Sequence, residues 1–286
     1  MDRSGKIILV TGGTGQQGGA VARQLIKENR KVRVLTRDIK KPAAVELKEL
    51  GAELFQGNMN DIESLDNAMN EVYGVFSVQN FWEHGYEGEL TQGKNTADAA
   101  KKAGVKHFLQ SSVGGAERNT NLPHFEVKFE IEQYVKTLNI PVTILRPVFF
   151  MENFGTFNKP VEDNGKLTIT IAMKKDTKLQ MITVNDIGAL AAIIFNQPEK
   201  YIGKEIEAAG DDLTISQVAE IYSKVSGKET VFNELPIEVL RSDSEEFANM
   251  FQWFIDKGYE SDIEEMKNIY PGMTSFEDWF KNNYKK

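Results

Sequence analysis

The residues with the clearest chemical meaning form a glycine-rich turn near the start of the chain. Gly12, Gly15 and Gly18 follow a short apolar run at residues 7–10, and a helical pattern of apolar residues continues from position 20. Glycine permits a sharp turn and leaves backbone N–H groups accessible, while the next helix directs its partially positive N-terminus at the same place. This order predicts a phosphate or pyrophosphate site, since the spacing is a variant of the dinucleotide fingerprint. The alternative is a tight turn that binds nothing.

A second group of chemically meaningful residues follows the next predicted strand, at residues 32–36. Arg37 comes directly after this strand, and Lys40 and Lys41 follow. In dinucleotide-binding proteins an acidic residue at this place bonds the ribose 2′-hydroxyl of NAD(H), whereas a basic one binds the 2′-phosphate of NADP(H). Asp38 opposes this interpretation, but Arg37 is nearest the strand end and a guanidinium pairs well with phosphate. The pattern favours NADP(H) over NAD(H); the alternative is an ordinary solvated surface.

Composition excludes several other kinds of site. The chain of 286 residues contains no cysteine, which excludes disulfides and thiol chemistry. It has three histidines, His84, His107 and His124, whose spacing does not suit a metal site. The net charge of −8 divides into +1 over residues 1–150 and −9 over residues 151–286, so we expect no direct binding of nucleic acid. No apolar run reaches the ~20 residues of a membrane span, and we expect a cytoplasmic protein that does not associate with a membrane.

Alternating strand and helix patterns would position these residues. Further strands, apolar throughout, are predicted at residues 53–56, 74–78, 107–112 and 141–146. Helices are predicted between them, one over residues 87–103, and another helix over residues 242–257. Apolar strands that alternate with helices predict an α/β fold, a doubly wound parallel sheet with helices on both faces. We assign residues 1–150 to this dinucleotide-binding domain and residues 151–286 to a smaller mixed α/β lobe packed on it, which is not a sequence-continuous folding unit.

Together these motifs resemble the NmrA-like proteins, which are atypical members of the short-chain dehydrogenase/reductase superfamily. The resemblance rests on residues 11–18 (Thr-Gly-Gly-Thr-Gly-Gln-Gln-Gly), on Arg37 and on residues 145–153 (Leu-Arg-Pro-Val-Phe-Phe-Met-Glu-Asn). It extends over essentially the whole chain. Residues 80–83 and 124–128 are most similar to the branch of the family that senses NADPH.

The resemblance implies a Rossmann fold that holds NADP(H) across the ends of its strands. It places the 2′-phosphate against Arg37 and Lys41, and it places Lys128 near the nicotinamide ribose. The other implied cofactor-binding residues belong to the glycine turn, to the segments after the third and fourth strands, and to a segment that closes over the nicotinamide ring: Gly12, Gly13, Thr14, Gly15, Gln16, Gln17, Gly18, Asn58, Met59, Gln79, Asn80, Phe81, Phe150, Glu152 and Asn153.

The chain lacks the catalytic pair of typical superfamily members. Those enzymes reduce carbonyls with a Tyr-x-x-x-Lys pair on one helix, where the ammonium lowers the pKa of the phenol. None of the eight tyrosines has a lysine four residues later, and the position that resembles the tyrosine is His124, four residues before Lys128. An imidazole is able to donate a proton near neutral pH; the alternative is that His124 packs at a helix start. His124 and Lys128 are the candidate catalytic residues, with Lys128 favoured as a ribose ligand.

Two functions are consistent with these features. The first is an NADP(H)-binding regulator whose occupancy reports redox state to a protein partner, with dehydrogenase activity absent or vestigial. The second is an NADPH-dependent reductase that transfers hydride directly to quinones or cationic dyes, as the resemblance implies for relatives without the tyrosine. A scaffold with a vestigial nucleotide site is disfavoured by the complete glycine turn. We expect a monomer or homodimer.

Overall fold

The structure is a computed structural model that describes residues 5–284. Its strands are, in chain order, β1 (Ile7–Val10), β2 (Lys31–Thr36), β3 (Glu53–Gln56), β4 (Val72–Ser77), β5 (His107–Ser111), β6 (Val142–Pro147), β7 (Phe149–Phe150), β8 (Val161–Asp163), β9 (Lys166–Ile171), β10 (Lys178–Ile182), β11 (Glu205–Ala208), β12 (Asp211–Thr214) and β13 (Thr230–Glu234). Its helices are α1 (Gln16–Lys27), α2 (Pro42–Glu49), α3 (Ile62–Ala68), α4 (Phe81–Ala103), α5 (Pro123–Thr137), α6 (Val184–Asn196), α7 (Pro198–Tyr201), α8 (Ile215–Ser226), α9 (Ile237–Asp243), α10 (Glu245–Asp256), α11 (Ile263–Ile269) and α12 (Phe276–Asn283). None of the helices within this range is both long and apolar enough to cross a membrane.

Seven strands form one sheet in the order β11-β6-β5-β4-β1-β2-β3. Each neighbouring pair from β6 to β3 is parallel. The last strand, β11, runs parallel to β6. Two backbone hydrogen bonds show this, from Ile144 N–H to Lys204 O and from Val148 N–H to Ala208 O, because the residue numbers increase together along both strands. The chain winds outward from β1 through β2 and β3, then returns beside β1 with β4 and winds the other way. This confirms the predicted doubly wound parallel sheet. Sheets of this kind generally bind ligands at the carboxyl edge where the strand order reverses, which is here between β1 and β4.

Helices cover both faces of this sheet. On one face Leu9 of β1 belongs to a buried cluster with Leu65 of α3 and Ile131 of α5. On the other face Ile8 and Phe195 of α6 both lie beside the glycine in the middle of β4. Because successive residues of a strand point to opposite faces, a strand covered on both faces is apolar throughout.

The chain is divided into two compact units that alternate along the sequence. The first contains residues 5–119, 123–146 and 187–206, and the second contains residues 120–122, 147–186 and 207–284. The first unit holds nearly all of the seven-stranded sheet and the helices on it. The second holds two three-stranded sheets, ordered β12-β10-β7 and β13-β9-β8. The lobe boundary predicted at residue 150 stays a prediction.

Two helices begin at places that apolar periodicity did not indicate. The helix predicted from residue 87 continues from a break at Gly85, and an additional turn precedes this break from Phe81, where Asn80 Oδ1 accepts a hydrogen bond from Trp82 N–H at 3.2 Å. The helix predicted from residue 242 begins after Ser244, whose hydroxyl accepts a hydrogen bond from Phe247 N–H at 3.3 Å. Both starts depend on a side-chain cap.

His107 is fully buried at the start of β5, outside the predicted site. Its Nε2 lies 2.8 Å from Thr143 Oγ1, and that hydroxyl donates to Tyr201 O at 2.8 Å. Since the threonine hydroxyl has only one proton, the imidazole Nε2 must donate to it. Burial lowers the pKa of His107 to about 4 from an ordinary value of 6.5.

We expect this histidine to make stability depend on pH. Between pH 6.5 and 4 the unfolded chain binds a proton that the folded chain does not, so the free energy of unfolding decreases as the pH falls through this window, by about 3 kcal/mol. Urea unfolding at a series of pH values measures the effect. His107→Gln keeps a donor for Thr143 and has no titrating group, so it should show a flatter profile; an unchanged profile would contradict the assignment.

Candidate functional site

The glycine turn joins the carboxyl end of β1 to α1. Gly12 has a positive φ of 58°, and Gly15 N–H donates to Gly12 O at 2.9 Å. Gly15 is the N-cap of α1 and forms no side-chain hydrogen bond to the first turn of the helix, which also contains no acidic residue. The first backbone N–H groups of α1 are therefore offered to an external acceptor, and an anion is the ligand that such a helix end favours.

The glycines of this turn have different roles. A Cβ at Gly18 would lie 2.4 Å from Gly12 O and 2.7 Å from Thr11 O, so only glycine lets α1 approach the backbone of the turn so closely. A Cβ at Gly15 would meet Gly12 O at 3.3 Å, and this position is exposed. Gly18 is thus required for packing, whereas Gly15 keeps open the space in front of α1 that a phosphate needs.

Two hydroxyl groups hold the turn against neighbouring strands. Thr11 Oγ1 accepts a hydrogen bond from Val78 N–H at 2.8 Å and donates to Val78 O at 3.0 Å, in a fully buried position. Ser111, at the end of β5, donates to Gln17 Oε1 at 2.7 Å. The start of α1 and the ends of β1, β4 and β5 therefore meet in one place. The sequence prediction did not single out Thr11, although a hydroxyl residue directly after a buried strand is a usable signal.

Arg37 lies at the end of β2, as predicted, with 55% of its side chain exposed. Its guanidinium donates to Glu83 Oε1 at 2.6 Å, and this hydrogen bond, with a smaller contribution from the Lys41 ammonium, lowers the pKa of Glu83. Asp38, the residue that opposed the NADP(H) interpretation, accepts a hydrogen bond from Lys40 N–H at 2.8 Å and thus caps its own turn. Glu83 was missed, because nothing in its sequence neighbourhood indicates that it reaches β2.

The residues after β3 and β4 are also brought together. Gln79 is 6% exposed, accepts a hydrogen bond from Gln110 Nε2 at 3.1 Å and places its own Nε2 4.0 Å from Met59 Sδ. Asn58 Oδ1 accepts a hydrogen bond from Asn60 N–H at 3.0 Å, so that its side chain shapes a local turn. Met59 and Gln79 therefore form one surface at the carboxyl edge of the sheet, and the predicted adenine contact of Asn58 and Met59 stays a prediction.

An aromatic cluster follows at the start of α4. Asn80 caps the helix, and the His124 ring, which is buried, lies 5.8 Å from the Phe81 ring, 5.1 Å from Trp82 and 4.8 Å from Phe125, measured between ring centroids. Trp82 is 56% exposed. These ring contacts support the alternative in which His124 packs at the start of α5, and its predicted catalytic role stays a prediction.

Lys128 forms an ion pair with Glu89 of α4. The Glu89 side chain is fully buried and the Lys128 side chain is 16% exposed. A buried carboxylate requires an opposite charge, so this pair fixes the position of the ammonium, which keeps further N–H groups for a ribose hydroxyl. Glu89 was also missed, because its role depends on α4 packing against α5.

The remaining predicted residues belong to the second unit. Val184 N–H donates to the two oxygens of Glu152 at 3.2 and 3.3 Å, so this carboxylate caps the start of α6, and its burial raises its pKa. Phe150 pairs with Ile182 through β7 and β10, and Asn153 O accepts a hydrogen bond from the backbone three residues later at 3.2 Å. Their predicted contact with the nicotinamide ring stays a prediction.

Comparison with known proteins identifies the family. A protein-family model described as the NmrA-like family matches residues 4–280 of this chain. The chain belongs to the NmrA-like family. It is 32% identical to an NmrA-like family domain-containing protein of Dictyostelium discoideum, over 98% of this chain and 99% of that protein. The resemblance predicted from the glycine turn, Arg37 and residues 145–153 is confirmed.

Solved structures share the NmrA-like fold. NmrA, described as a negative transcriptional regulator and solved in complex with NADP, superposes with a TM-score of 0.85 at 22% identity, over 98% of this chain and 96% of that one. The same regulator has also been solved with NAD. The triphenylmethane reductase of Citrobacter sp., complexed with NADP(H), superposes with a TM-score of 0.81 at 23% identity, over 98% and 100% of the two chains. At these identities the likeness establishes the fold.

The contrast between two glycines of the turn is testable. We expect Gly18→Ala to lower the free energy of unfolding by about 1–3 kcal/mol, because the added methyl group overlaps the backbone of the turn and α1 has to move. Gly15→Ala is the matched control and should lower it by at most about 1 kcal/mol, the usual effect at an N-cap. Urea unfolding followed by circular dichroism makes the measurement, and equal losses would contradict the assigned roles.

Proposed function

We propose that this NmrA-like protein binds NADP(H) at the carboxyl edge of its seven-stranded sheet and reports the occupancy of that site to a protein partner, with dehydrogenase activity absent or vestigial. The observation that carries the proposal is the glycine turn, in which the N-cap Gly15 provides no side-chain hydrogen bond to the first turn of α1, combined with Arg37 at the end of β2. The NADP complex of NmrA and the NADP(H) complex of triphenylmethane reductase support the same ligand.

The residues of the first unit fit a dinucleotide that carries a 2′-phosphate. The space left by Gly15 in front of α1 suits the pyrophosphate, and Arg37 with Lys41 suits the 2′-phosphate. Lys128, held by Glu89, suits a ribose hydroxyl. The preference for NADP(H) over NAD(H) rests on these cations, since the Asp38 carboxylate already accepts a hydrogen bond from Lys40 N–H within its own turn. When bound, NADPH supplies a hydride from its nicotinamide ring.

The regulatory interpretation rests on the surroundings of the Lys128 ammonium and the His124 imidazole. Dehydrogenases of the typical kind need a phenol beside the lysine, and this chain has His124 in that position, buried among aromatic rings. The Lys128 ammonium already neutralises the buried carboxylate of Glu89. These residues favour retention of a nucleotide over delivery of a proton to a carbonyl oxygen.

A reductase is the second candidate, and the exposure of Trp82 is the observation that favours it. This indole is 56% exposed and lies in the first turn of α4, the helix that follows β4. An exposed indole face suits a flat aromatic acceptor such as a quinone or a cationic dye. Such acceptors take a hydride without strong acid assistance, and the likeness to triphenylmethane reductase supports this alternative.

Arg37 tests the assignment of the cofactor. We expect Arg37→Ala to weaken NADPH binding by at least about tenfold, because a charge-assisted hydrogen bond to the 2′-phosphate is lost, and to change NADH binding by no more than about twofold. Isothermal titration measures both. Lys31→Ala removes a cation at the opposite end of β2 and should leave both affinities unchanged. Equal weakening of the two nucleotides by Arg37→Ala would argue against its phosphate role.

Turnover distinguishes the two candidate functions. We expect the protein to oxidise NADPH more slowly than about 1 s⁻¹, below the usual range for enzymes, with each of a panel of quinones, triphenylmethane dyes and aldehydes. The absorbance of NADPH at saturating acceptor gives the rate. Faster turnover of a quinone or dye that disappears in Trp82→Ala would establish the reductase in place of the regulator.

A further inference from the structure

The ion pair between Arg37 and Glu83 spans the part of the sheet edge where the 2′-phosphate is expected. Arg37 follows β2 and Glu83 lies in the first turn of α4, which follows β4. The guanidinium and the carboxylate are 2.6 Å apart, and their side chains are 55% and 44% exposed. The pair is therefore open to exchange with an anion from solution, unlike the buried pair of Lys128 and Glu89.

The turn that carries Glu83 is separated from the body of α4. Gly85 interrupts the helix with φ 66° and ψ −173°, a combination open essentially only to glycine. Beyond this break the helix is held by buried side chains, among them Glu89, which pairs with Lys128. Residues 80–84 thus form a single turn with a hinge at its end, and its ion pair to Arg37 joins it to β2.

We propose that Glu83 is a specificity-determining residue that competes with the 2′-phosphate for Arg37, so that NADP(H), but not NAD(H), releases residues 80–84 from β2. The inference rests on the proposed function, because it requires the nucleotide to bind at this edge. A phosphate dianion and a carboxylate on one guanidinium repel each other, and the anion with the greater charge displaces the other. NAD(H) has a hydroxyl at this position and cannot displace a carboxylate.

The surrounding charges support the competition. The pKa of Glu83 is lowered chiefly by its hydrogen bond with Arg37, and Lys41 adds to the effect, so the carboxylate is fully charged at neutral pH. His84 Nε2 lies 3.7 Å from the other oxygen of Glu83. When the phosphate pairs with Arg37, Lys41 also attracts the phosphate. The Glu83 carboxylate then loses Arg37 and keeps the neighbouring imidazole of His84 and access to solvent.

The first experiment measures the competition with two small probes, 2′,5′-ADP and 5′-AMP, at one pH and one ionic strength. We expect Glu83→Gln to strengthen binding of 2′,5′-ADP by about two- to fivefold, the usual strength of an exposed ion pair, and to leave 5′-AMP unchanged. Glu87→Gln removes the same charge from an exposed position of α4 beyond the hinge and should change neither. Weaker binding of 2′,5′-ADP by Glu83→Gln would show that Glu83 positions Arg37 instead, and an equal change for both probes would also overturn the proposal.

The second experiment follows the released turn through Trp82, which lies within it. We expect NADP⁺ to change the tryptophan emission of the wild-type protein where saturating NAD⁺ does not, and Trp82→Phe to remove this difference. In Glu83→Gln the turn is already released, so the emission should start near that of the NADP⁺ complex and respond little. Identical responses of the wild-type protein to the two nucleotides would overturn the inference alone. Failure of NADP⁺ to bind at all would overturn the proposed function, and the inference with it.

Discussion

The close approach of α1 to the glycine turn is the contact on which the rest of the site depends. A Cβ at Gly18 would lie within 2.4 Å of Gly12 O, so the helix starts directly against the end of β1 only because that side chain is missing. This contact aims the first N–H groups of α1 at the carboxyl edge of the sheet. Thr11 then joins the same turn to β4 through two hydrogen bonds with Val78. The position proposed for the pyrophosphate is thus formed by closely packed backbone.

Around that position, two acid–base pairs have different physical roles. Lys128 is paired with a fully buried carboxylate, Glu89, and breaking such a pair typically costs about 3–5 kcal/mol, so the ammonium is fixed. Arg37 is paired with the exposed Glu83, and exposed pairs contribute only about 0–1 kcal/mol, so the guanidinium is exchangeable. A fixed cation suits a constant feature of the ligand, its ribose, and an exchangeable one suits the feature that distinguishes two ligands.

The parts of the site that sequence could predict are those fixed by local chemistry. The glycine turn follows from residue types that alone permit its geometry, and Arg37 follows from its place at a strand end. The partners of these residues could not be predicted. Glu83 reaches Arg37 only because β4 lies next to β1 and Asn80 caps an additional helical turn, and Glu89 reaches Lys128 only because α4 packs on α5. The strands of the second unit were missed, although β9 carries the alternation of apolar and polar residues that indicates a strand with one buried face.

The sequence by itself determined the fold class, the NmrA-like family and the position of the glycine turn, because apolar strands and obligatory glycines are recognised from local residue types. The tertiary structure decided which charged side chains pair with one another, and it placed the His124 imidazole among aromatic rings. Those outcomes depend on distances between segments that are remote in the chain, since charge pairing and burial are set by neighbours in space. His124 illustrates the difference: its spacing to Lys128 indicated an acid, whereas its ring contacts are those of a packed side chain.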